Sequence, residues 1–229
     1  MDYKVCILTA GKGTRNKYAQ ERGINKSLLD IGGREIISYL IDKFPKKVEI
    51  VIALGYKGES VKAWTKSLNP NRKLTFIFAD YEGRGHGPGW SLLCCKKKLQ
   101  CPFVYMACDT IVLEDIPEPY VNWMGVNAVC DTLPYLTVEE KMGLVTDVYD
   151  KGDERATHIA SIGLVGVRDY KAFWEGLEHP VLVQGEHQDT SGLRALIPYG
   201  LHTQRFTWYD TGSTEGYERT LKYFNQCVS

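Results

Sequence analysis

The stretch YKVCILTAGKGTR (residues 3–15) joins a short apolar run to a loop of glycines and cations. Tyr3 to Thr9 reads as a buried strand, and Ala10 to Arg15 as the turn that leaves it. Outward from there, the first 110 residues keep one rhythm. Leu28 to Ile31 is a short apolar piece. Glu35 to Phe44 carries Ile36, Ile37, Leu40, Ile41 and Phe44 at helical spacing, and Pro45 ends it. Val48 to Leu54 is rich in β-branched residues and reads as a strand covered on both faces. A helix over Glu59 to Leu68, a strand over Leu74 to Ala79, a helix over Trp90 to Leu99 and a strand over Phe103 to Cys108 follow. Strands alternating with helices imply βαβ units, hence an α/β fold with a mostly parallel sheet and helices on both faces. From about residue 111 the rhythm changes. Leu144 to Tyr149 and Ala160 to Val167 read as strands with no clear helix between them, so this half is expected to be mixed or antiparallel. No linker interrupts the chain, and residues 1–229 are read as one domain.

Composition removes several classes of function. Lys and Arg together number 28, equal to Asp and Glu, so the net charge is zero. A nucleic-acid binder shows a basic excess or stripe, whereas the densest cationic run here is Lys96 to Lys98. No apolar stretch approaches the ~20 residues of a membrane span, and Val5 to Ala10 is too short for a secretory signal. Seven cysteines without a CxxC pair argue against a disulfide framework or structural zinc. The expectation is a cytoplasmic protein with reduced thiols and no nucleic-acid or membrane partner.

In an open α/β sheet, ligands bind beyond the carboxyl ends of the strands. Each early strand ends in a distinctive loop there. In the first, Gly11 and Gly13 permit close backbone approach, and Lys12, Arg15 and the downstream Lys26 supply positive charge, a combination suited to phosphate oxygens. It is neither a Walker A loop nor a dinucleotide fingerprint; the alternative is a tight turn with solvated charges. The second is Gly55-Tyr56-Lys57-Gly58-Glu59. The third has glycine at 83, 85, 87 and 89, which fits either a backbone lying against a planar base or a mobile surface loop with His86 exposed. Asp109 ends an apolar strand, where a carboxylate needs a partner; magnesium with substrate phosphates is one choice and a turn Asp the other. Asp210 is a second candidate, or else a cap, as is Ser213, for a helix starting near Glu215.

Taken together, LTAGKGTR (8–15), NKSLLDIGG (25–33), GY (55–56), ACDT (107–110) and WYDTGSTEGY (208–217) resemble the sugar-phosphate nucleotidyltransferases over nearly the whole chain. The resemblance implies a Rossmann-like fold, and a reaction in which an NTP is joined to a phosphorylated small-molecule acceptor with release of pyrophosphate. It divides the chain into a nucleotide-binding half (1–110) and an acceptor-binding half (111–229). It implies that Leu8, Ala10, Gly11, Lys12, Gly13, Thr14, Gly55, Gly87 and Gly89 border the nucleotide. It makes Arg15 and Lys26 the catalytic cations and gives Asp109 and Asp210 to Mg²⁺. Three departures stand out: Asn25 replaces the family's usual proline, Cys108 its usual glycine, and Pro88-Gly89-Trp90 its usual base-side loop.

The second substrate is less determined. Lys141, Arg155, His158 and Glu186 are candidates for acceptor binding. Trp123, Trp174, Trp208, Tyr105, Tyr135 and Tyr209 could cage a quaternary ammonium, or serve as core. CTP is the expected nucleotide, because the chain is short and has no Gln-rich uracil or thymine loop; a uridylyl- or guanylyltransferase for a sugar 1-phosphate is the alternative. A role in capsule or surface-polysaccharide assembly and a homodimer follow from the resemblance alone. A glycosyltransferase of related fold typically shows Asp-x-Asp after the fourth strand, and Asp109-Thr110-Ile111 lacks the second acid. A non-catalytic nucleotide-binding module predicts loss of Lys26 or Asp109, and both are present.

Overall fold

Alternation of side chains along the first strands decides how the layers stack. In the computed structural model, which describes residues 2–227, β1 (Lys4–Leu8), β2 (Glu49–Leu54), β3 (Leu74–Phe78) and β4 (Phe103–Ala107) are parallel neighbours in the order β3-β2-β1-β4. Val5, Ile7, Ile50, Ile52, Val104 and Met106 enter one apolar layer. Cys6, Val51, Ala53, Phe103 and Tyr105 enter the other. Successive residues of a strand face opposite ways, so a doubly apolar strand needs a cover on each side.

Helices supply both covers. They are α1 (Lys17–Arg22), α2 (Ile36–Asp42), α3 (Gly58–Leu68), α4 (Pro88–Cys95), α5 (Tyr170–Leu177), α6 (Thr190–Leu196) and α7 (Thr214–Cys227). Ala19, Leu40, Val61 and Tyr217 bring α1, α2, α3 and α7 to the first face. Leu92, Trp174 and Leu193 bring α4, α5 and α6 to the second. Trp174 stacks on Phe103 with ring centroids 5.1 Å apart, and Trp123 is also buried, so these two aromatics are core. No described helix is long and apolar enough to cross a membrane.

The second half adds β5 (Asn122–Ala128), β6 (Thr137–Lys141), β7 (Leu144–Tyr149), β8 (Ile159–Val167) and β9 (Leu201–Arg205). The full sheet runs β3-β2-β1-β4-β8-β5-β9-β7-β6. β8 is antiparallel to β4 and β5, whereas β9 is parallel to β5. β6 also pairs with β8 through Thr137 and Ala160, so this edge curls back on itself. The mixed character expected beyond residue 111 is found, and helix α4 starts earlier than its apolar pattern, at Pro88 in the first turn, where a missing N–H costs nothing.

Strand order reverses between β1 and β4, whose last residues Leu8 and Ala107 lie side by side. That is the switch point where open α/β sheets hold ligands. A short antiparallel ribbon, Thr110–Val112 with Trp208–Asp210, carries Asp210 to the same place.

Candidate active site

A cleft of about 490 Å³ opens at the switch point. It is lined by Leu8, Ala10, Gly11, Lys12, Gly13, Thr14, Arg15 and Lys26, and also by Gly87, Asp109, Glu186 and Asp210. Gly55, Gly89, Lys141, Arg155 and His158 are not among its walls.

The glycine loop is shaped from within and from behind. Gly13 is left-handed (φ +63°), and a Cβ there would stand 3.2 Å from Lys26 Cδ, so the lysine stem crosses directly over it. The carbonyl of Gly13 accepts from Asn16 N–H at 3.1 Å, and the Asn16 side chain caps α1 by accepting from Ala19 N–H at 3.1 Å. A Cβ on Gly11 would meet nothing within 4 Å, leaving its backbone open to the cleft. Lys12 Nζ lies 2.7 Å from Glu82 and leans over Tyr81. Gly55 works from outside the cleft: a Cβ there would stand 2.5 Å from the Ala10 carbonyl. That carbonyl accepts from Tyr56 N–H at 2.9 Å. The expectation that Gly55 touches nucleotide is therefore corrected; it supports the loop that would.

At the centre, Lys26 Nζ is ion-paired and hydrogen-bonded to Asp109 Oδ2. Burial disfavours charge on both, yet their mutual attraction prevails: Lys26 is held above the usual lysine range and Asp109 below the usual carboxylate range. Asp210 behaves oppositely. Burial first, and the Asp109 charge second, raise its pKa. It accepts from Gly212 N–H at 2.7 Å and from Tyr135 Oη at 3.1 Å. Tyr135 is in turn pushed up to about 12 by burial and by Asp210. A Cβ on Gly212 would lie 2.5 Å from Asp109 Oδ2 and 3.0 Å from Asp210 Oδ1, so the two carboxylates converge on one small space. Among the described residues no group of three or more His, Cys, Asp or Glu could hold a metal. Two converging hard oxygens, one of them short of positive charge, still fit magnesium, which takes one or two carboxylates and completes its shell with phosphates and water. The helix cap is Ser213, whose Oγ accepts from Gly216 N–H at 3.0 Å; Asp210 is left for the cleft.

The alternate-glycine loop is explained by its neighbour. Gly83 and Gly85 have φ of +101° and +85°, and Gly85 N–H donates to the Gly185 carbonyl at 2.7 Å. A Cβ on Gly87 would stand 2.6 Å from the His187 carbonyl; one on Gly89 would stand 2.6 Å from His187 Cδ2 and overlap the Gln188 carbonyl. Gly87 and Gly89 thus admit the 185–188 segment. Gly87 also lines the cleft, but the expected nucleotide contact of Gly89 is replaced by this packing. His86 lines the cleft too, tilted against Trp90.

The half expected to bind the acceptor departs most from expectation. Lys141 sits at an exposed hairpin end beside Met142. Arg155 is ion-paired to Asp153 at 2.8 Å and lies over Tyr149. His158 Nδ1 is 3.0 Å from the Val129 carbonyl. Arg155 and His158 are engaged outside the cleft walls, and Lys141 is exposed away from them. Glu186, one of the acceptor candidates, does line the cleft, together with Asp189 and with Lys151 and Gln188, which the sequence did not single out. Lys151 follows β7. Asp189 accepts from Tyr105 Oη at 2.7 Å, and Gln188 donates to Glu186 at 2.8 Å. Ser161, Ile162 and Gly163 line it where β8 slips register against β5. Gly163 (φ +69°) within the strand pattern IASIGLVGV was the available signal, because a glycine inside a strand often marks a bulge. Of the aromatics, Tyr105, Tyr135 and Trp208 line the cleft, with Tyr135 edge-on to Trp208 at 5.6 Å.

No family model matches the chain. No curated protein matches it either. Solved structures do. UDP-glucose pyrophosphorylase complexed with UDP-glucose superposes with a TM-score of 0.80 at 19% identity, covering 99% of this chain and 100% of its own. A putative glucose-1-phosphate thymidylyltransferase from Bacillus anthracis, in complex with a sucrose, gives 0.77 at 19% over 96% of this chain and 94% of its own. UTP-bound UDP-glucose pyrophosphorylase from Acinetobacter baumannii gives 0.75 at 16% over 98% and 93%. At these identities the likeness concerns architecture, and on it the chain has the α/β fold of the sugar-phosphate nucleotidyltransferases.

Proposed function

We propose that this protein is a nucleotidyltransferase that joins an NTP to a sugar 1-phosphate or similar small phosphorylated metabolite and releases pyrophosphate. The observation that carries this reading is the meeting of Lys26, Asp109 and Asp210 beside the Gly11–Arg15 loop at the switch point. In the reaction, an anionic oxygen of the acceptor phosphate attacks the α-phosphorus in line. The bond from the α-phosphorus to the bridging oxygen breaks, and its electron pair leaves with pyrophosphate. The attacking oxygen is already an anion, so no general base is required; alignment and charge neutralisation carry the catalysis. The open backbone at Gly11 and the exposed Arg15 suit the β- and γ-phosphates. Lys26 faces the α-phosphate region. Asp109 and Asp210 would hold magnesium, which would supply further positive charge to the phosphates.

The CTP expected from chain length and loop composition gains no support from the similar structures, whose names carry UDP-glucose, UTP and a thymidylyltransferase. Of the alternative, a uridylyl- or guanylyltransferase for a sugar 1-phosphate, they favour the uridylyl member, and the thymidylyltransferase among them adds dTTP. The test is pyrophosphate release with UTP, dTTP, CTP, GTP and ATP in magnesium against a panel of sugar 1-phosphates, phosphocholine and small phosphonates. Release that needs one pyrimidine NTP and one acceptor is expected. Absence of release from every pair, together with absence of magnesium-dependent NTP binding by calorimetry, overturns the reading.

A further inference from the structure

Asn25 is wholly buried in a loop, one residue before Lys26. A buried amide costs free energy unless its hydrogen-bonding capacity is met, and here all four positions are filled. Its Nδ2 donates to the carbonyls of Thr9 and Tyr56, each at 2.8 Å. Its Oδ1 accepts from Ser27 N–H at 3.0 Å and Ser27 Oγ at 2.8 Å. These partners belong to three separate pieces of the cleft. Thr9 ends the run into the glycine loop, Tyr56 lies in the turn that bonds Ala10, and Ser27 belongs to the short 3-10 turn that carries Lys26.

We propose that Asn25 is a positioning residue that sets Lys26 against the phosphate loop. The deduction is geometric. Lys26 crosses Gly13 within 3.2 Å of where a Cβ would stand and reaches Asp109, two residues past the end of β4. Its main chain must therefore hold a fixed distance from the loop, and no other side chain among the described residues bonds Thr9, Tyr56 and the Lys26 turn together. Backbone propensity does not account for the residue, since Asn25 has φ −71° and ψ 139°, a conformation open to proline. Asn25→Pro thus keeps the turn's backbone and removes all four side-chain bonds.

This inference rests on the proposed function only for its kinetic arm. The direct arm is amine acetylation of the whole protein, without nucleotide, followed site by site by mass spectrometry. In Asn25→Pro, Lys26 is expected to react about 10-fold faster while other lysines keep their rates, because local opening of the Lys26–Asp109 pair becomes easier. Where the wild type releases pyrophosphate, kcat should fall about 10²-fold with the NTP KM nearly unchanged, the mark of a misplaced group and not a lost binding contact. If Asn25→Pro does not fold, Ser27→Ala, which removes one bond, carries the test with a smaller rise of about 3-fold at Lys26 alone. A folded Asn25→Pro whose Lys26 reacts at the wild-type rate overturns the proposal. Absence of both pyrophosphate release and magnesium-dependent NTP binding in the wild type overturns only the functional reading, and leaves the acetylation result to decide Asn25.

Discussion

The two walls of the cleft are made of different material. The wall from β1 and the following loop offers backbone and cations: Gly11 open to the cleft, Gly13 in a left-handed turn, and Lys26 braced across it. The wall from the second half offers side chains on a bulged strand and on the 185–189 segment: Asp189 bonded to Tyr105 of β4, Glu186 with Gln188, Ser161 and Lys151. A triphosphate is common to every NTP and can be held by main chain. An acceptor differs from enzyme to enzyme and is read by side chains that can change without disturbing the chemistry. On the proposed function, the second wall would therefore read the acceptor and the first would carry the reaction.

The largest test strikes the place where the walls meet. Asp109→Asn and Lys26→Ala should each lower turnover about 10²–10³-fold, measured as pyrophosphate release at saturating substrates. Neither should favour one substrate's KM over the other's by more than a few-fold. Unchanged turnover in either variant removes that residue from the chemistry.

Next come the glycines. Gly13→Ala forces a Cβ into a left-handed residue 3.2 Å from Lys26 Cδ, at a cost of about 1–2 kcal/mol in folding stability, and should weaken NTP more than acceptor binding. Gly89→Ala pushes on the 185–188 backbone. It should cost about 1–3 kcal/mol and raise the acceptor KM more than the NTP KM, although Gly89 sits in the first half of the chain. Equal effects on both substrates would break the division between walls. Smaller still, Lys151→Ala and Glu186→Gln should raise the acceptor KM about 10-fold, the worth of one charged hydrogen bond, and leave the NTP KM alone. An acceptor KM that does not move excludes those two side chains from recognition.

The same division governs what can be read from sequence. Parallel strands buried on both faces appear as continuous apolar runs, so β1, β2 and β4 were legible, and their shared edge brought Arg15, Lys26 and Asp109 together without coordinates. The second half resists such reading for physical reasons. β5 (NWMGVNA) shows neither period, because Gly125 makes room for Ile162 and Asn122 caps the turn at Arg168 and Asp169. Arg155 and His158 looked like acceptor ligands by type, yet a local ion pair with Asp153, two residues back, and a contact with the distant Val129 carbonyl engage them outside the cleft walls. Gly89 and Gly55 looked like ligand contacts, since a glycine needed for a neighbouring backbone and one needed for a ligand are identical in sequence. Asn25 stood out as a departure from a resembled pattern, yet its four bonds became visible only once three loops were in place.

The finest test asks whether the two carboxylates carry opposite signs of stability. The folded-state pKa of Asp109 is lowered, mainly by Lys26 acting against burial. Its contribution is present above the unfolded carboxylate value of about 3.9 and is lost as pH falls through the lower folded value. The folded-state pKa of Asp210 is raised by burial and by Asp109, so its charge destabilises the fold at neutral pH, and acidification through the raised value relieves that cost. In magnesium-free buffer at pH 7, Asp210→Asn should therefore raise Tm, by about 2–4 °C for each kcal/mol relieved, and the gap to wild type should close as pH falls through the raised folded-state value. The asparagine keeps an acceptor for Gly212 N–H, so the turn survives the change. Asp109→Asn should instead lower Tm, because it leaves Lys26 buried without its counter-ion. Added magnesium should narrow the Asp210→Asn difference by stabilising only the wild type. A lower Tm for Asp210→Asn at pH 7 would mean that Tyr135 and Gly212 already satisfy this carboxylate, and would leave a cation there without an electrostatic reason to bind.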